Sequence, residues 1–395
     1  MVSERILAMA PSATSMLGGK ISEMKAAGLD VVSFNLGEPD FQTPRKIMDT
    51  CTKAMLDGNT KYIAVGGILP LRKAICEKLE QDNNVSYEPS EICVCTGALA
   101  ALYNAMMTIC NPGDEVIIPT PCWVSYVEMV KLAGGKPVFV RTMADFQLNI
   151  AEIKSAITPR TKAVIINTPN NPTGAVYSLD VLMHLAHLAI RHDFYVISDE
   201  VYEKLIYDGV EHISIASLLP EMRRRTITIN GFSKAYSMTG WRLGYAAAPM
   251  EITKGMVAFQ SHTTTNSTTF VQYAGITALK DCAHDVEAMR QEFAKRRVYM
   301  LERMEKFPDV TCTKPGGAFY LMPDVSAYYW KKTIDGQLIK DSFDFCNYML
   351  NEARVAIVPG AAFEMPKCVR FAYSISMEAI EKGMDRLEAA LVKLH

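Results

Sequence analysis

The sequence lacks a surplus of charge of either sign. Its 395 residues carry 41 Lys and Arg against 43 Asp and Glu, which gives a formal net charge of −2. Proteins that bind nucleic acid or anionic membranes usually carry a basic surplus, so neither partner is expected. Hydrophobic residues make up 49% and charged residues 21%, and these ordinary values exclude extensive disorder and fibrous repeats.

Long apolar stretches and metal-binding cysteine motifs are also missing. No run reaches the roughly 18 apolar residues of a membrane span, and residues 1–15 lack the core of a signal peptide. The ten cysteines include no CxxC pair, so we predict a cytoplasmic protein without a metal site. We expect Cys93 and Cys95 to face opposite sides of a strand and to pack in the core rather than share a metal.

Short apolar runs alternate with segments of helical spacing from about residue 92 onward. The candidate strands are residues 92–95, 115–119, 137–141, 163–167, 195–198, 226–230 and 243–247. The candidate helices are residues 99–109, 124–133, 150–157 and 179–192. Strands that are apolar at every position, such as residues 163–166, are typical of a parallel sheet with helices on both faces. The pattern predicts a doubly wound α/β domain.

The alternation ends after Pro249, where long helical stretches begin. Residues 283–306 and 377–394 are predicted helices, and strand-like pieces return within residues 318–373. We expect a second, smaller α+β domain. The predicted division is residues 1–45 as an N-terminal arm and part of the small domain, 46–281 as the large domain and 282–395 as the small domain.

The segment richest in chemically active side chains is residues 233–244 (Ser-Lys-Ala-Tyr-Ser-Met-Thr-Gly-Trp-Arg-Leu-Gly). It places Lys234 at the carboxyl end of a buried strand, where burial favours the neutral amine that can attack a carbonyl. Arg242 can supply a cation for a phosphate, and Ser233 a hydroxyl donor. The alternative interpretation is a surface turn that carries a lysine and an arginine.

Three other polar segments follow predicted strands. Asp199, after the strand 195–198, could hold a protonated ring nitrogen or only cap a helix. The loop 168–174 would fix the Asn171 amide toward a ligand, although a plain tight turn would look similar. Backbone N–H groups at residues 97–99 could bind a phosphate at a helix start. Together with Lys234, these groups describe a pyridoxal 5′-phosphate site, where the cofactor acts as the electron sink.

At these residues the chain resembles the fold-type I pyridoxal phosphate enzymes, in particular the class I aspartate and aromatic aminotransferases of the prokaryotic branch. The resemblance extends over nearly the whole chain. The matching segments are residues 35–41 (Asn-Leu-Gly-Glu-Pro-Asp-Phe), 61–62, 169–174, 198–202, 233–234, 240–244 and 369–371. It implies a large domain with a mostly parallel seven-stranded sheet, a smaller α+β domain, and a homodimer with shared active sites that acts in amino acid metabolism.

The resemblance also implies roles for individual residues. Lys234 would carry the cofactor as a Schiff base and move the substrate Cα proton as a general base. Asp199 would pair with the pyridine nitrogen. Asn171 and Tyr202 would hold the phenolic oxygen of the ring, and Trp123 would stack on its face. The expected catalytic residues are therefore Lys234, Asp199 and Tyr202.

The phosphate of the cofactor has its own implied partners. They are Ser233, Arg242 and the turn formed by Gly97, Ala98 and Leu99. Tyr62 would reach the phosphate of the neighbouring subunit's cofactor, as in the dimers of this family.

Arg370 matches the family's arginine for the substrate α-carboxylate, assisted by Asn171, Trp123 and the Gly37 backbone. The apolar stretch 369–373 around it supports this role, since a buried arginine without a partner would be costly.

One departure from the family pattern concerns the substrate side chain. Leu99 stands where some aspartate aminotransferases of this branch carry a lysine for the distal carboxylate, and residues 260–269 contain no Arg or Lys. A dicarboxylate would need another partner, such as a hydroxyl of Ser12 or Thr14 or a side chain from the second subunit. This departure therefore favours aromatic and other neutral amino acids as donors.

The predicted function is transfer of an amino group from an L-amino acid to 2-oxoglutarate by a ping-pong mechanism. A related fold-type I C–S β-lyase or synthase is the alternative enzyme. A non-catalytic sensing module is disfavoured, because the sequence has no helix-turn-helix region or basic arm and retains the full lysine, aspartate and arginine set.

Overall fold

The computed structural model describes residues 2–9 and 13–395. The helices are α1 Glu4–Leu7, α2 Ala13–Ala26, α3 Arg45–Leu56, α4 Leu69–Asn83, α5 Gly97–Ile109, α6 Val124–Leu132, α7 Ile150–Ala156, α8 Leu179–His192, α9 Pro220–Arg223, α10 Met250–Ser261, α11 Thr269–Asp281, α12 Ala283–Met304, α13 Ser342–Tyr348 and α14 Met377–Leu391. The strands are β1 Val32–Ser33, β2 Ile92–Cys95, β3 Glu115–Thr120, β4 Lys136–Arg141, β5 Thr161–Asn167, β6 Tyr195–Asp199, β7 Thr226–Gly231, β8 Gly244–Ala247, β9 Tyr320–Leu321, β10 Val355–Ala356, β11 Val358–Pro359 and β12 Val369–Ala372. In these ranges, no helix combines the length and the apolar character that a membrane crossing requires.

A seven-stranded sheet in the order β2-β8-β7-β6-β5-β3-β4 forms the centre of the molecule. The strands β7, β6, β5, β3 and β4 pair in parallel, whereas β8 runs antiparallel to both β2 and β7. The prediction of a mostly parallel seven-stranded α/β sheet is confirmed. Each predicted strand lies within two residues of the observed bounds.

Alternate residues of the central strands enter different cores, which explains why these strands are apolar at every position. In β5, Ala163 and Ile165 pack in the core formed with α5, α6 and α10. Val164 and Ile166 pack on the opposite face, in the core formed with α8. Side chains alternate across a strand, so both faces must be apolar when helices cover both.

A second layer combines the N-terminal and C-terminal parts of the chain. Strand β1 pairs in parallel with β10, and β9, β12 and β11 form a three-stranded antiparallel sheet. Phe34 packs in one core with residues of α12, α13 and α14. The predicted strand 369–373 appears as β12, whereas the predicted stretch 355–358 divides into β10 and β11. The division at residues 45 and 281 stays a prediction.

The expectation that Cys93 and Cys95 face opposite sides of a strand was wrong. Both side chains are fully buried, and their Sγ atoms lie 3.7 Å apart. They point to the same face of β2, because residues two positions apart along a strand share a face. Their packing in the core shared with α5 agrees with the other half of the expectation.

A buried ionic network lies behind the carboxyl ends of β6 and β7. The Lys78 ammonium contacts the Glu203 carboxylate, and each side chain is 7% exposed. Asn83 and Asn230 donate to Glu203 through their amides at 2.8 Å and 2.9 Å. Burial alone would raise the pKa of Glu203, but Lys78 lowers that pKa to about 2. The network links α4 to residues adjacent to Tyr202.

Replacing Lys78 by methionine should destabilise the fold by about 3–5 kcal/mol, because the Glu203 carboxylate would remain buried without its cation. The matched control is Lys53→Met, which removes the exposed Lys53–Asp57 pair, 75% and 50% exposed. The control should change the free energy of unfolding by less than about 1 kcal/mol. Thermal and urea unfolding measure the free energy of unfolding of both variants. An equal loss of stability in Lys78→Met and Lys53→Met would mean that the Lys78 pair is not a buried charge pair.

Candidate active site

A cavity of about 490 Å³ lies at the carboxyl ends of β5, β6 and β7 and extends to the start of α5. The predicted site residues on its wall are Gly37, Ala98, Leu99, Trp123, Asn171, Asp199, Tyr202, Ser233, Lys234, Arg242 and Arg370. The fold thus brings together residues from seven separate stretches of sequence. This agrees with the tendency of open α/β sheets to bind ligands at the carboxyl ends of their strands.

Lys234 follows β7 and extends into this cavity. Its Nζ donates to the Gly37 carbonyl at 2.5 Å and lies 5.8 Å from the centre of the Tyr202 ring. Burial lowers the pKa of Lys234 to about 8. Near neutral pH, a larger fraction of this amine is therefore unprotonated than for an exposed lysine, so it is a better nucleophile.

Asp199 ends β6 and is held by two donors. The Tyr126 hydroxyl donates to Asp199 Oδ2 at 2.6 Å, and the Val201 N–H donates to Oδ1 at 3.3 Å. Burial raises the pKa of Asp199 to about 6, although both donors oppose the increase. A cationic ring nitrogen placed against this carboxylate would therefore be strongly favoured.

The loop after β5 is tied to the same strand end. The Asn167 amide donates to the Asp199 carbonyl at 2.9 Å, and the Asn171 N–H donates to Asn167 Oδ1 at 2.7 Å. These two bonds fix the backbone of Asn171 relative to Asp199. The loop therefore holds its polar side chain in a defined direction, as the sequence predicted for a rigid turn.

The Arg370 guanidinium is 3% exposed and faces neutral groups. It donates to Asn171 Oδ1 at 3.0 Å and to the Asn35 carbonyl at 2.8 Å. The central carbon of the guanidinium, Cζ, lies 4.7 Å from the centre of the Tyr320 ring. Over the described ranges, Arg370 forms no ion pair with a carboxylate, so a buried cation on the cavity wall retains capacity for an anionic ligand.

The opposite end of the cavity combines a helix start with a second arginine. Helix α5 begins at Gly97, and the first N–H groups of a helix have no partner within it. A Cβ at Gly97 would lie 2.5 Å from Arg242 Nη2, and one at Gly244 would lie 2.4 Å from the Ala98 nitrogen. Both glycines therefore permit the close approach of Arg242 and the helix start, which together suit a phosphate group.

Comparison with known proteins now identifies the family. The model of class I and II aminotransferases matches residues 29–387. The chain belongs to this aminotransferase family. It is 45% identical to an aspartate aminotransferase of Geobacillus stearothermophilus, covering 98% of each chain. An aspartate/prephenate aminotransferase of Cereibacter sphaeroides is 41% identical at the same coverage. The crystal structure of the Rhizobium meliloti aspartate aminotransferase matches with a TM-score of 0.97, 38% identity and 100% coverage of both chains.

Membership of this family implies dependence on pyridoxal phosphate, and the cavity of this aminotransferase fits that group. Ser233, Arg242 and the α5 start would hold the phosphate. Asp199 would face the ring nitrogen, and Lys234 would meet the aldehyde carbon. Because Gly97 and Gly244 have no side chains, Arg242 and the start of α5 can lie close together at the anion-binding end.

Tyr62 lies apart from the other predicted site residues. Its side chain is 89% exposed, in a surface depression with Lys61, Asn266 and Phe270. The role proposed for Tyr62 acts across two subunits, so its distance from the cavity of its own chain agrees with that role without testing it.

The cavity wall includes two exposed leucines. Leu99 and Leu36 are 46% and 47% exposed, and both line the cavity. The lysine and arginine side chains on the described part of the wall are Lys234, Arg242 and Arg370. Ser12 and the side chain of Thr14, which were candidates for the distal carboxylate, lie outside the described residues.

Sequence reasoning missed two tyrosines of the site. Tyr126 was assigned only to the predicted helix 124–133, although its hydroxyl binds Asp199. Tyr320 lay in an apolar strand-like piece; its hydroxyl lies 2.8 Å from the Tyr202 hydroxyl. The position of Tyr126 one helical turn after Trp123 was the available signal.

An acidic cluster lies behind the cavity. Glu200, Glu203 and His212 bring ligand-type atoms within 4.8 Å of one another. His212 Nε2 lies 3.1 Å from Glu200 Oε2, and Ser198 and Ser214 also donate to Glu200. Lys78 pairs with Glu203, so each carboxylate of the cluster has partners within the protein, and we assign the cluster a structural role.

Replacing Tyr126 by phenylalanine removes a donor to the charged form of Asp199 and should therefore raise the pKa of Asp199 above about 6. Below its pKa the carboxyl is neutral and cannot pair with a cationic ring nitrogen. We expect pyridoxal phosphate affinity to fall about tenfold at acidic pH and to recover as pH rises.

Cofactor titrations of the apoenzyme over a range of pH measure this change. Tyr103→Phe is the control, because the Tyr103 ring packs against Phe259 outside the cavity. An equal loss of affinity at all pH values in Tyr126→Phe would contradict an effect through Asp199.

Proposed function

We propose that this aminotransferase uses pyridoxal 5′-phosphate to move the amino group of an L-amino acid to 2-oxoglutarate in two half-reactions, by a ping-pong mechanism. The observation that carries the proposal is the convergence of a lysine of lowered pKa, a buried carboxyl and a buried arginine on one cavity. A nucleophile, a partner for a ring nitrogen and an anchor for a carboxylate are the groups that this chemistry requires.

Pyridoxal phosphate, when bound, supplies the electron sink that allows a proton to leave the amino acid Cα. Arg370 binds the substrate α-carboxylate, with help from Asn171 and the Gly37 backbone. This pairing fixes the Cα near Lys234, whose neutral amine takes the proton and returns it at a different atom.

Other side chains hold the ring. Asp199 would pair with the ring nitrogen, and Asn171 and Tyr202 would bind the phenolic oxygen. Trp123 would cover one ring face. In the proposed cytoplasmic homodimer, the exposed Tyr62 reaches the phosphate bound by the neighbouring subunit.

Two observations bear on the amino donor. The relatives named above are aspartate or aspartate/prephenate aminotransferases, which favours aspartate. The exposed leucines at positions 36 and 99 favour an aromatic or other neutral donor. We propose that the enzyme accepts both classes, with 2-oxoglutarate as the acceptor.

The first test is the visible absorbance of the holoenzyme while single L-amino acids are added without an oxo acid. We expect Asp, Glu, Phe and Tyr to bleach the band as each donates its amino group. Adding 2-oxoglutarate should restore the band. A β-lyase would instead release ammonia and pyruvate without an acceptor, and finding those products would refute the proposal.

The same experiment with Lys234→Ala tests the proton-transfer role. Turnover should fall by several orders of magnitude, because both the nucleophile and the general base are lost. Turnover at the original rate would rule out the proposed mechanism.

Substituting lysine for Leu99 tests the donor side of the site. A cation on this wall should favour a substrate with a distal carboxylate, so the ratio of kcat/KM for aspartate to that for phenylalanine should rise about tenfold or more. Leu99→Met is the control, since it keeps an apolar side chain of similar volume. An unchanged ratio would mean that the distal group lies elsewhere.

A further inference from the structure

We propose that the side-chain amide of Asn35 binds the substrate carboxylate that Arg370 holds. The inference rests on the proposed function, because it assumes that Arg370 receives a carboxylate. It adds a second donor to that carboxylate from the N-terminal part of the chain.

The first observation is the position of Asn35. The residue lines the cavity and is 2% exposed. Its backbone carbonyl accepts from Arg370 Nη2 at 2.8 Å. The Asn35 side chain therefore originates directly beside the guanidinium, within the reach of a group bound there.

The second observation is the state of the amide. Neither Asn35 Nδ2 nor Oδ1 has a hydrogen-bond partner in the described backbone or among the side chains of residues 2–4, 6–9 and 17–395, and Arg370 Nε likewise has none there. A buried amide without a partner is unfavourable, so native proteins usually supply one. Two unpaired donors on neighbouring residues of one wall indicate a shared acceptor.

The direction of the backbone supports this reading. The preceding Phe34 turns away from the cavity, with its ring 5.4 Å from the Phe371 ring in the core. Asn35 lines the cavity and Phe34 does not, so the turn at residues 34–35 directs the Asn35 side chain toward the cavity.

A carboxylate satisfies both donors. Its two oxygens carry about four acceptor sites, so a bidentate pair with arginine leaves positions for a further N–H. The Asn35 Nδ2–H group is suited to one of them, and a hydrogen bond to a charged oxygen is stronger than one between neutral groups. Asn35 thus increases affinity for the group that every amino acid substrate carries.

The test measures the binding of two carboxylates to the holoenzyme by the change in its visible absorbance. Succinate has a second carboxylate, whereas 3-phenylpropionate has an apolar tail. In Asn35→Ala, we expect the Kd of both ligands to rise by about tenfold, equivalent to about 1.4 kcal/mol. The KM for the amino donor should rise by a similar factor while kcat changes little.

Ser33→Ala is the matched control. Ser33 lies on the same segment and also has a buried hydroxyl with no partner in the described part of the chain, but it does not line the cavity. Its substitution should leave both dissociation constants unchanged. An equal weakening in Ser33→Ala would show that the segment acts only through packing, and would overturn the proposal.

Two other results would also overturn it. Unchanged affinities in Asn35→Ala would exclude a contact, and loss for succinate alone would place Asn35 at the distal carboxylate. If Asn35→Ala does not fold, Asn35→Asp is the second variant, because it keeps the shape of the side chain and adds a negative charge. It should raise the Kd of both ligands by more than tenfold. Failure of the proposed function is distinct, because the wild-type holoenzyme would then not lose its absorbance band to an amino acid and regain it with 2-oxoglutarate.

Discussion

The guanidinium of Arg370 joins three distant parts of the chain. It projects from β12, contacts Asn171 in the loop after β5, and contacts the carbonyl of Asn35 near the N-terminus. Because a buried cation is expensive to leave without compensation, these dipoles and the Tyr320 ring face hold it in place. Its charge still lacks an anionic partner in the described chain. Anion binding is therefore coupled to the relative position of all three segments.

The charged groups around the cavity form two sets with different consequences. Behind the strand ends, Lys78 pairs with Glu203, and His212 and two serines bind Glu200, so both carboxylates have partners within the protein. Within the cavity, Asp199 and Lys234 have pKa values shifted toward neutrality. The paired groups behind the strand ends provide a rigid support. The groups within the cavity retain charges that a charged ligand can pair with.

The sheet could be predicted from the sequence because each central strand is buried on both faces, as the two-core packing of Val164 and Ile165 illustrates. The position of the cavity could be predicted from the polar residues at the strand ends. Tyr320 could not be assigned to it, since its hydroxyl meets a partner remote in sequence, and only its position after Trp123 pointed to Tyr126. Local pattern likewise does not reveal that the amide of Asn35 lacks a partner, because that depends on every residue packed around it.

Gly97 lies against Arg242, and Gly244 lies against the backbone at the start of α5, so the anion-binding end of the cavity depends on where the backbone lies. The Leu36 and Leu99 wall, by contrast, consists of side chains exposed to the cavity. Substitutions on that wall need not disturb the backbone that forms the anion-binding end. Ligand preference can therefore change during evolution through these side chains, while the anion-binding end is retained.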